Sequence, residues 1–335
     1  VTQRKAAQRG PFAAGDQVQL TDPKGRMHQI VLQPGAAFHT HRGALSHDDL
    51  IGAPEGSVVT ATSGTQYVAL RPLLADFTLA MKRGATIVYP KDAAQILAYA
   101  DVFPGARVLE AGAGSGALSC WLLRAAGPDG EVVSFEARAD FAEIARENVR
   151  KYFGEVPSWW RLVTAPLSAR AALDPSFRTD RAYSLRKDSG AGGAADADAA
   201  DPDDPDPACA AAPVGGTFDR VILDMLAPWE NVAEAARALI PGGLICCYVA
   251  TTTQLSRIVE ELRGHGSFYE PAAWETLYRG WHVEGLAVRP DHRMIGHTGF
   301  LVTARRLADG VTPPARRRRP AKGSLPESDA ETSAD

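Results

Sequence analysis

Apolar residues recur along this chain in two different rhythms. Between residues 15 and 70 they come in short β-like runs (17–20, 28–32, 57–61 and 67–70) broken at close intervals by Gly, Pro and Asp. Such spacing predicts a small β-domain of barrel or sandwich type over 15–70, behind a flexible basic N-terminus at 1–14. From Arg71 the period changes. Leu73, Leu74, Phe77, Ala80 and Met81 fall at helical spacing, and 92–100 reads as a second helix, so 71–104 form linking helices. Pro90 keeps Tyr89 extended just ahead of that second helix, either as an exposed aromatic or as a packed spacer.

Beyond residue 105 strand and helix patterns alternate. Strands are predicted at 132–136, 160–164, 218–224 and 243–250, and helices at 117–126, 140–151, 231–239 and 253–262. Alternation of this kind builds a parallel sheet covered on both faces. Two β-runs, 275–288 and 298–305, close the chain with no helix between them, so the last strands should pair antiparallel. Periodicity dissolves over 172–216. Residues 191–213 are rich in Ala, Asp, Pro and Gly and read as a disordered insertion within a domain spanning 105–307. A disordered tail follows at 308–335.

The most informative stretch is Val108-Leu109-Glu110-Ala111-Gly112-Ala113-Gly114-Ser115-Gly116-Ala117-Leu118. A short buried strand runs into three alternating glycines, which allow a sharp turn and close approach of a ligand. A helix follows, with Ser115 as the expected N-cap and its first amides aimed back at the loop. Gly112, Gly114 and Ala117 also satisfy the looser dinucleotide pattern, with Glu136 as a ribose-binding acid. Glu110 tilts the choice. An acid two residues before the first glycine would repel a pyrophosphate but suits the cationic amino end of S-adenosylmethionine.

A second acid-terminated strand, Val221-Ile222-Leu223-Asp224, leads into Met225-Leu226-Ala227-Pro228-Trp229. In a doubly wound sheet the ligand crevice lies at the C-terminal strand ends, where Glu110, Glu136 and Asp224 all fall. Three acids at one edge call for a cationic or donor-rich ligand. Asp224 could instead cap the helix that starts near Glu230, although it lies far upstream for that task. A parallel sheet finished by an antiparallel strand is the α/β, Rossmann-like layout of class I methyltransferases, here with a small N-terminal β-domain.

Composition adds bounds. At 335 residues and 45% hydrophobic the chain can fill one large core and one smaller one. No apolar run of about 18 residues is present, and the polar N-terminus does not resemble a signal segment, so a soluble, cytoplasmic protein without a membrane partner is expected. Val1 reads as an alternative start codon translated literally. Cys120, Cys209, Cys246 and Cys247 lack zinc spacing and read as reduced thiols. His39, His41, His47 and Asp48 could be metal ligands but fit a polar surface loop better, so no metal is expected. The formal charge is −4, yet seven acids lie in 188–207 and four in the last thirteen residues; without them the remainder carries +7. That permits a nucleic-acid partner. The four arginines 316–319 could touch phosphates or belong to a solvated tail.

These residues resemble the bacterial and archaeal tRNA (adenine-58-N1)-methyltransferases of the TrmI type. The resemblance rests on Tyr89-Pro90-Lys91-Asp92-Ala93, the glycine stretch from Leu109 to Gly116, Phe135-Glu136-Ala137-Arg138, Leu223-Asp224-Met225 with Pro228-Trp229, Tyr248 ahead of Thr253-Gln254, and Gly296-His297-Thr298. It covers residues 15–307 and departs from shorter members at the insertion and at Ala165-Pro166-Leu167-Ser168.

The resemblance implies a homotetramer that methylates N1 of adenine-58 in tRNA with S-adenosylmethionine. Glu110, Gly112, Gly114, Ser115, Gly116, Ala117, Glu136, Arg138, Phe141, Ser168 and Asp224 are then the cofactor residues. Asp224, Tyr89 and Tyr248 are the residues that handle the base, and His297 has a structural place near the sheet edge. Two other readings stay open: a class I methyltransferase acting on a small molecule or protein carboxylate, and a non-catalytic tRNA-binding subunit.

Overall fold

The computed structural model describes residues 9–41, 43–167 and 216–313. Most of the predicted insertion, the tail beyond 313, Cys209, the arginines 316–319 and Ser168 lie outside the described residues. The small domain holds β1 (Gln17–Thr21), β2 (Met27–Val31), β3 (Ala37–Thr40), β4 (Gly43–Ser46), β5 (Val58–Thr60) and β6 (Gln66–Leu70). Four of them form an antiparallel sheet in the order β2-β1-β6-β5, while β3 and β4 pair separately as a hairpin. That hairpin corrects the expected His-rich loop. His39 is exposed on β3, and His47 is buried with Nδ1 accepting from the Gln33 amide at 3.1 Å. Phe12, expected in the flexible leader, is buried against this sheet under the Arg71 guanidinium.

Two linking helices follow, α1 (Leu74–Ala80) and α2 (Pro90–Tyr99). The large domain then runs β7 (Arg107–Ala111), α3 (Ala117–Ala126), β8 (Glu131–Phe135), α4 (Ala139–Phe153), β9 (Trp160–Val163), β10 (Phe218–Asp224), α5 (Val232–Ala238), β11 (Leu239–Val249) and α6 (Thr252–His265). It ends with β12 (Ala272–Glu275), β13 (Trp281–Glu284), β14 (Ala287–Pro290) and β15 (Phe300–Arg305). The central sheet has the order β12-β15-β11-β10-β7-β8-β9. Its five strands β7 to β11 are parallel, and β15 pairs antiparallel with both β11 and β12, an antiparallel finish as the alternation predicted. The predicted run 275–288 is not one strand, however. The edge strand lies earlier, and β13–β14 form a separate hairpin.

Alternation along the strands divides the core between the two faces of the sheet. Val108, Val132, Ile222 and Cys246 pack with α1, α2 and α3 on one face. Leu109, Val133, Val221, Leu223, Ile245 and Cys247 pack with α5 and α6 on the other. Each fully buried aliphatic side chain contributes about 1.5–3 kcal/mol by leaving water. The same period explains the adjacent cysteines, which point to opposite faces as free, buried thiols. It also places chemistry. Glu110 sits level with Ser134 on β8 and Ile222 on β10, and Asp224 sits level with Tyr248. Counting by two, Glu110, Glu136, Asp224 and Tyr248 share the face covered by α2 and α3, at the C-terminal ends of the strands.

Candidate active site

The three glycines of the loop after β7 have positive φ, and each meets a different neighbour. A Cβ on Gly112 would overlap the carbonyl oxygen of Asp224, so this glycine lets the loop close against the end of β10. A Cβ on Gly116 would press on Ala145 of α4 at 3.0 Å. A Cβ on Gly114 would meet no clash, its nearest neighbour being the Ala85 methyl at 3.5 Å. Two glycines therefore serve packing, and the middle one leaves room for a ligand.

Ser115 is not the N-cap of α3. Gly116 occupies that position in the left-handed conformation, with no side-chain cap. The Ser115 hydroxyl instead accepts from the amides of Gly84 and Ala85 at 3.0 and 3.1 Å, fastening the linker after α1 over the loop. Asn148 of α4 completes the clasp by donating to the carbonyls of Lys82 and Ser115, both at 2.8 Å. Neither Gly84 nor Asn148 was indicated by the sequence, because a polar residue in an amphipathic helix looks like surface. Ala117 opens α3 and is buried.

Glu110 is fully buried. One carboxylate oxygen accepts from Ser119 at 2.6 Å and Ser134 at 2.5 Å, while the other is buried without a partner. Burial, opposed by the two hydroxyls and reinforced by Glu136, pushes its carboxyl up to about 6. Glu136 accepts from the amides of Gly114 at 2.8 Å and Arg138 at 3.0 Å, so it holds the loop in shape at the mouth. Arg138 is exposed, paired with Asp140 and stacked 3.8 Å over the Phe141 ring. A Cβ on Gly84 would fall 2.8 Å from that ring, so the clasped linker and Arg138 both border Phe141.

Asp224 ends β10. Burial, with the charges of Glu110 and Glu136, pushes its carboxyl up to about 7. The groups that shift Asp224 include no cation, and a half-buried strand-end carboxylate beside two others suits a positive ligand. S-adenosylmethionine fits this set: it carries a sulfonium, an ammonium and hydroxyl donors, opposite three carboxylates, one with an unpartnered buried oxygen. The loop beyond Asp224 is pinned by Gln254, which donates to the Leu226 carbonyl at 2.9 Å, and by Arg257 stacked 4.2 Å over Trp229. Asp224 caps no helix; Asn231 precedes α5.

Tyr89 is the residue ahead of α2 and is half-buried, its carbonyl accepting from the amides of Asp92 and Ala93 at 2.9 Å. Tyr248 is half-buried on β11, and its hydroxyl approaches Asp92 at 3.4 Å. His297 bridges the Ala250 carbonyl at 2.7 Å and the Glu275 carboxylate at 3.0 Å, and both acceptors raise its pKa. Among the described residues no cluster of His, Cys, Asp and Glu could hold a metal ion.

A parallel sheet with a reversed penultimate strand, a glycine loop and an acid at each of the strand ends around it define a class I S-adenosylmethionine-dependent methyltransferase. Residues 10–59 match a TrmI-like N-terminal family model, and residues 67–162 and 206–288 match that of the tRNA methyltransferase complex GCD14 subunit. The chain belongs to this tRNA methyltransferase family. It is 32% identical over 287 residues to tRNA (adenine(58)-N(1))-methyltransferase TrmI of Thermus thermophilus, covering 86% of this chain and 95% of that one. It is 29% identical to tRNA (adenine(57)-N(1)/adenine(58)-N(1))-methyltransferase TrmI of Methanocaldococcus jannaschii, covering 85% and 93%. Among solved structures, a SAM-dependent O-methyltransferase of Thermotoga maritima superposes with a TM-score of 0.71 at 25% identity, over 94% of this chain and 98% of that one.

Proposed function

We infer that this protein transfers a methyl group from S-adenosylmethionine to N1 of adenine-58 in tRNA. The observation that carries the reading is the Asp224 carboxyl, raised by burial and set at the same strand-end level as Tyr248, in a chain of this family. When bound, S-adenosylmethionine supplies the methyl as an electrophilic carbon. The N1 lone pair of adenine is nucleophilic without help, so the residues have no strong base to provide. Their work is to expose the base, align it and offset the charge that develops on its ring. Asp224 does the last two by accepting a hydrogen bond from the N6 amine. Tyr89 and Tyr248 stack on the extruded base. Glu110, Glu136 and residues 112–117 hold the cofactor, with Arg138 and Phe141 at its adenosine end; Ser168 has this role by family position only.

Self-association accompanies this reading. One face of the β13–β14 hairpin carries Trp281, Val283 and Val288, aligned by the register Trp281↔Pro290 and Val283↔Val288, and all three are exposed. Such an apolar face suits a further copy of the chain, giving the tetramer expected of the family. Sedimentation of the intact chain checks this, and a monomer at micromolar concentration refutes it. No helix among the described residues is long and apolar enough to cross a membrane. Action on tRNA and the buried free thiols support a cytoplasmic place.

The activity is tested by incubating the protein with methyl-labelled S-adenosylmethionine and unmodified tRNA, then digesting to nucleosides. Label is expected in 1-methyladenosine and is expected to vanish from a transcript with adenine-58 replaced. Label confined to another nucleoside, or persisting in that transcript at undiminished level, overturns the assignment.

A further inference from the structure

Beneath the base-handling edge lies a buried polar knot that the cofactor reading leaves unused. Asp92, on the first turn of α2, is 1% exposed. Its carboxylate accepts from Lys91 Nζ at 2.7 Å on one oxygen, and from Thr298 Oγ1 at 2.5 Å and Tyr248 Oη at 3.4 Å on the other. Lys91, itself almost buried, donates also to the Thr276 carbonyl at 2.6 Å. Residues from α2, β11 and the turns flanking the β13–β14 hairpin thus converge on one carboxylate.

A buried ion pair of this kind adds little net stability, because each charge loses its hydration; what it provides is fixed geometry. The geometry here concerns two rings. The Asp92 amide donates to the Tyr89 carbonyl at 2.9 Å, so the residue that holds the Tyr248 hydroxyl also closes the turn that presents Tyr89. The Tyr248 ring has no freedom on its other side. A Cβ on Gly299 would overlap it, so the ring lies directly against the Gly299 backbone.

We propose that Asp92 is a positioning residue that sets Tyr248 relative to Tyr89, fixing the slot into which the target base stacks. Lys91 holds one carboxylate oxygen of Asp92 at 2.7 Å, and Thr298 occupies the second acceptor direction so that the carboxylate does not turn. Asp92 touches neither base nor cofactor; it acts through Tyr248. This inference rests on the assignment of Tyr248 as a wall of the base slot.

The test is a cycle of Asp92→Asn, Tyr248→Phe and the double variant, with Tyr248→Ala as the control for the assignment itself. For each protein kcat with tRNA, KM for tRNA, cofactor Kd by calorimetry and Tm are measured. Loss of one such hydrogen bond corresponds to about a tenfold effect. Asp92→Asn and Tyr248→Phe are each expected to lower kcat about that much with cofactor Kd unchanged, and the double variant is expected to be no worse than the poorer single. Multiplying losses, or full turnover by Tyr248→Phe, overturn the role of Asp92. If Tyr248→Ala keeps full turnover, the base-slot assignment fails instead. Should Asp92→Asn not fold, Tyr248→Phe, which removes only the hydroxyl that meets Asp92, decides alone.

Discussion

The wall of the crevice assigned to the cofactor comes almost wholly from one continuous stretch, residues 107–141, while the wall assigned to the base is gathered from residues 89–92, 224, 248 and 297–299. In the first, β7, the glycine loop, α3 and β8 are neighbours in sequence, and Glu136 bonds a loop amide only 22 positions away. In the second, Asp92 meets Tyr248 across 156 positions and Thr298 across 206. A contiguous wall is set by local backbone preferences. An assembled wall is set by strand register and helix packing, so it is the one that distant changes should disturb first.

Gly112 is where the walls meet, and substituting it should have the largest effect. Gly112→Ala drives a methyl into the Asp224 carbonyl at a positive φ, so it should lower Tm strongly and abolish both cofactor binding and turnover. Gly114→Val sharpens the contrast. Its Cβ clashes with nothing, so beyond the strain of a positive φ cofactor binding should be lost by steric block with a smaller drop in Tm, as calorimetry and thermal melting would report. Equal destabilisation by the two would mean that Gly114 is a packing glycine like its neighbours.

A smaller effect should appear in pH dependence. Burial raises Glu110 to about 6 and Asp224 to about 7, so the ligand-free fold binds these protons more tightly than the unfolded chain does. Their contribution therefore favours the folded state at low pH and declines as pH rises through 6 and 7. A cationic cofactor reverses the preference at Glu110 by stabilising its carboxylate. Calorimetry near pH 6.5 in buffers of different ionisation enthalpy should show proton release on binding S-adenosylmethionine, with affinity rising toward pH 8. Proton uptake would contradict the assignment of Glu110 to the cofactor.

The difference between the walls also explains what could be read from the residues beforehand. The parallel sheet, its antiparallel finish and the acids at the strand ends follow from hydrophobic periodicity and from which residue ends each strand. Ser115 misled because a serine before a helix usually caps it, whereas here the left-handed turn at Gly116 takes the cap and frees the hydroxyl for a partner 30 positions away. The β3–β4 hairpin was hidden because β3 alternates exposed and half-buried residues, with His39 exposed, leaving no buried apolar stripe. Residues 275–288 have strand-like composition throughout, yet the chain leaves the sheet after Glu275 and returns as a separate hairpin. Lys91, Asp92 and Thr298 stood within recognisable motifs, but their convergence depends on the register of β11 with β15, which no local pattern encodes.

The division of the crevice is tested most directly by Asp224→Ala, assayed for cofactor affinity and for 1-methyladenosine formation on the same preparation. Cofactor Kd should stay within a few-fold of the parent while kcat falls by about a hundredfold or more, as expected when a charge-stabilising group is removed. Undiminished turnover would remove Asp224 from the chemistry and contradict the account.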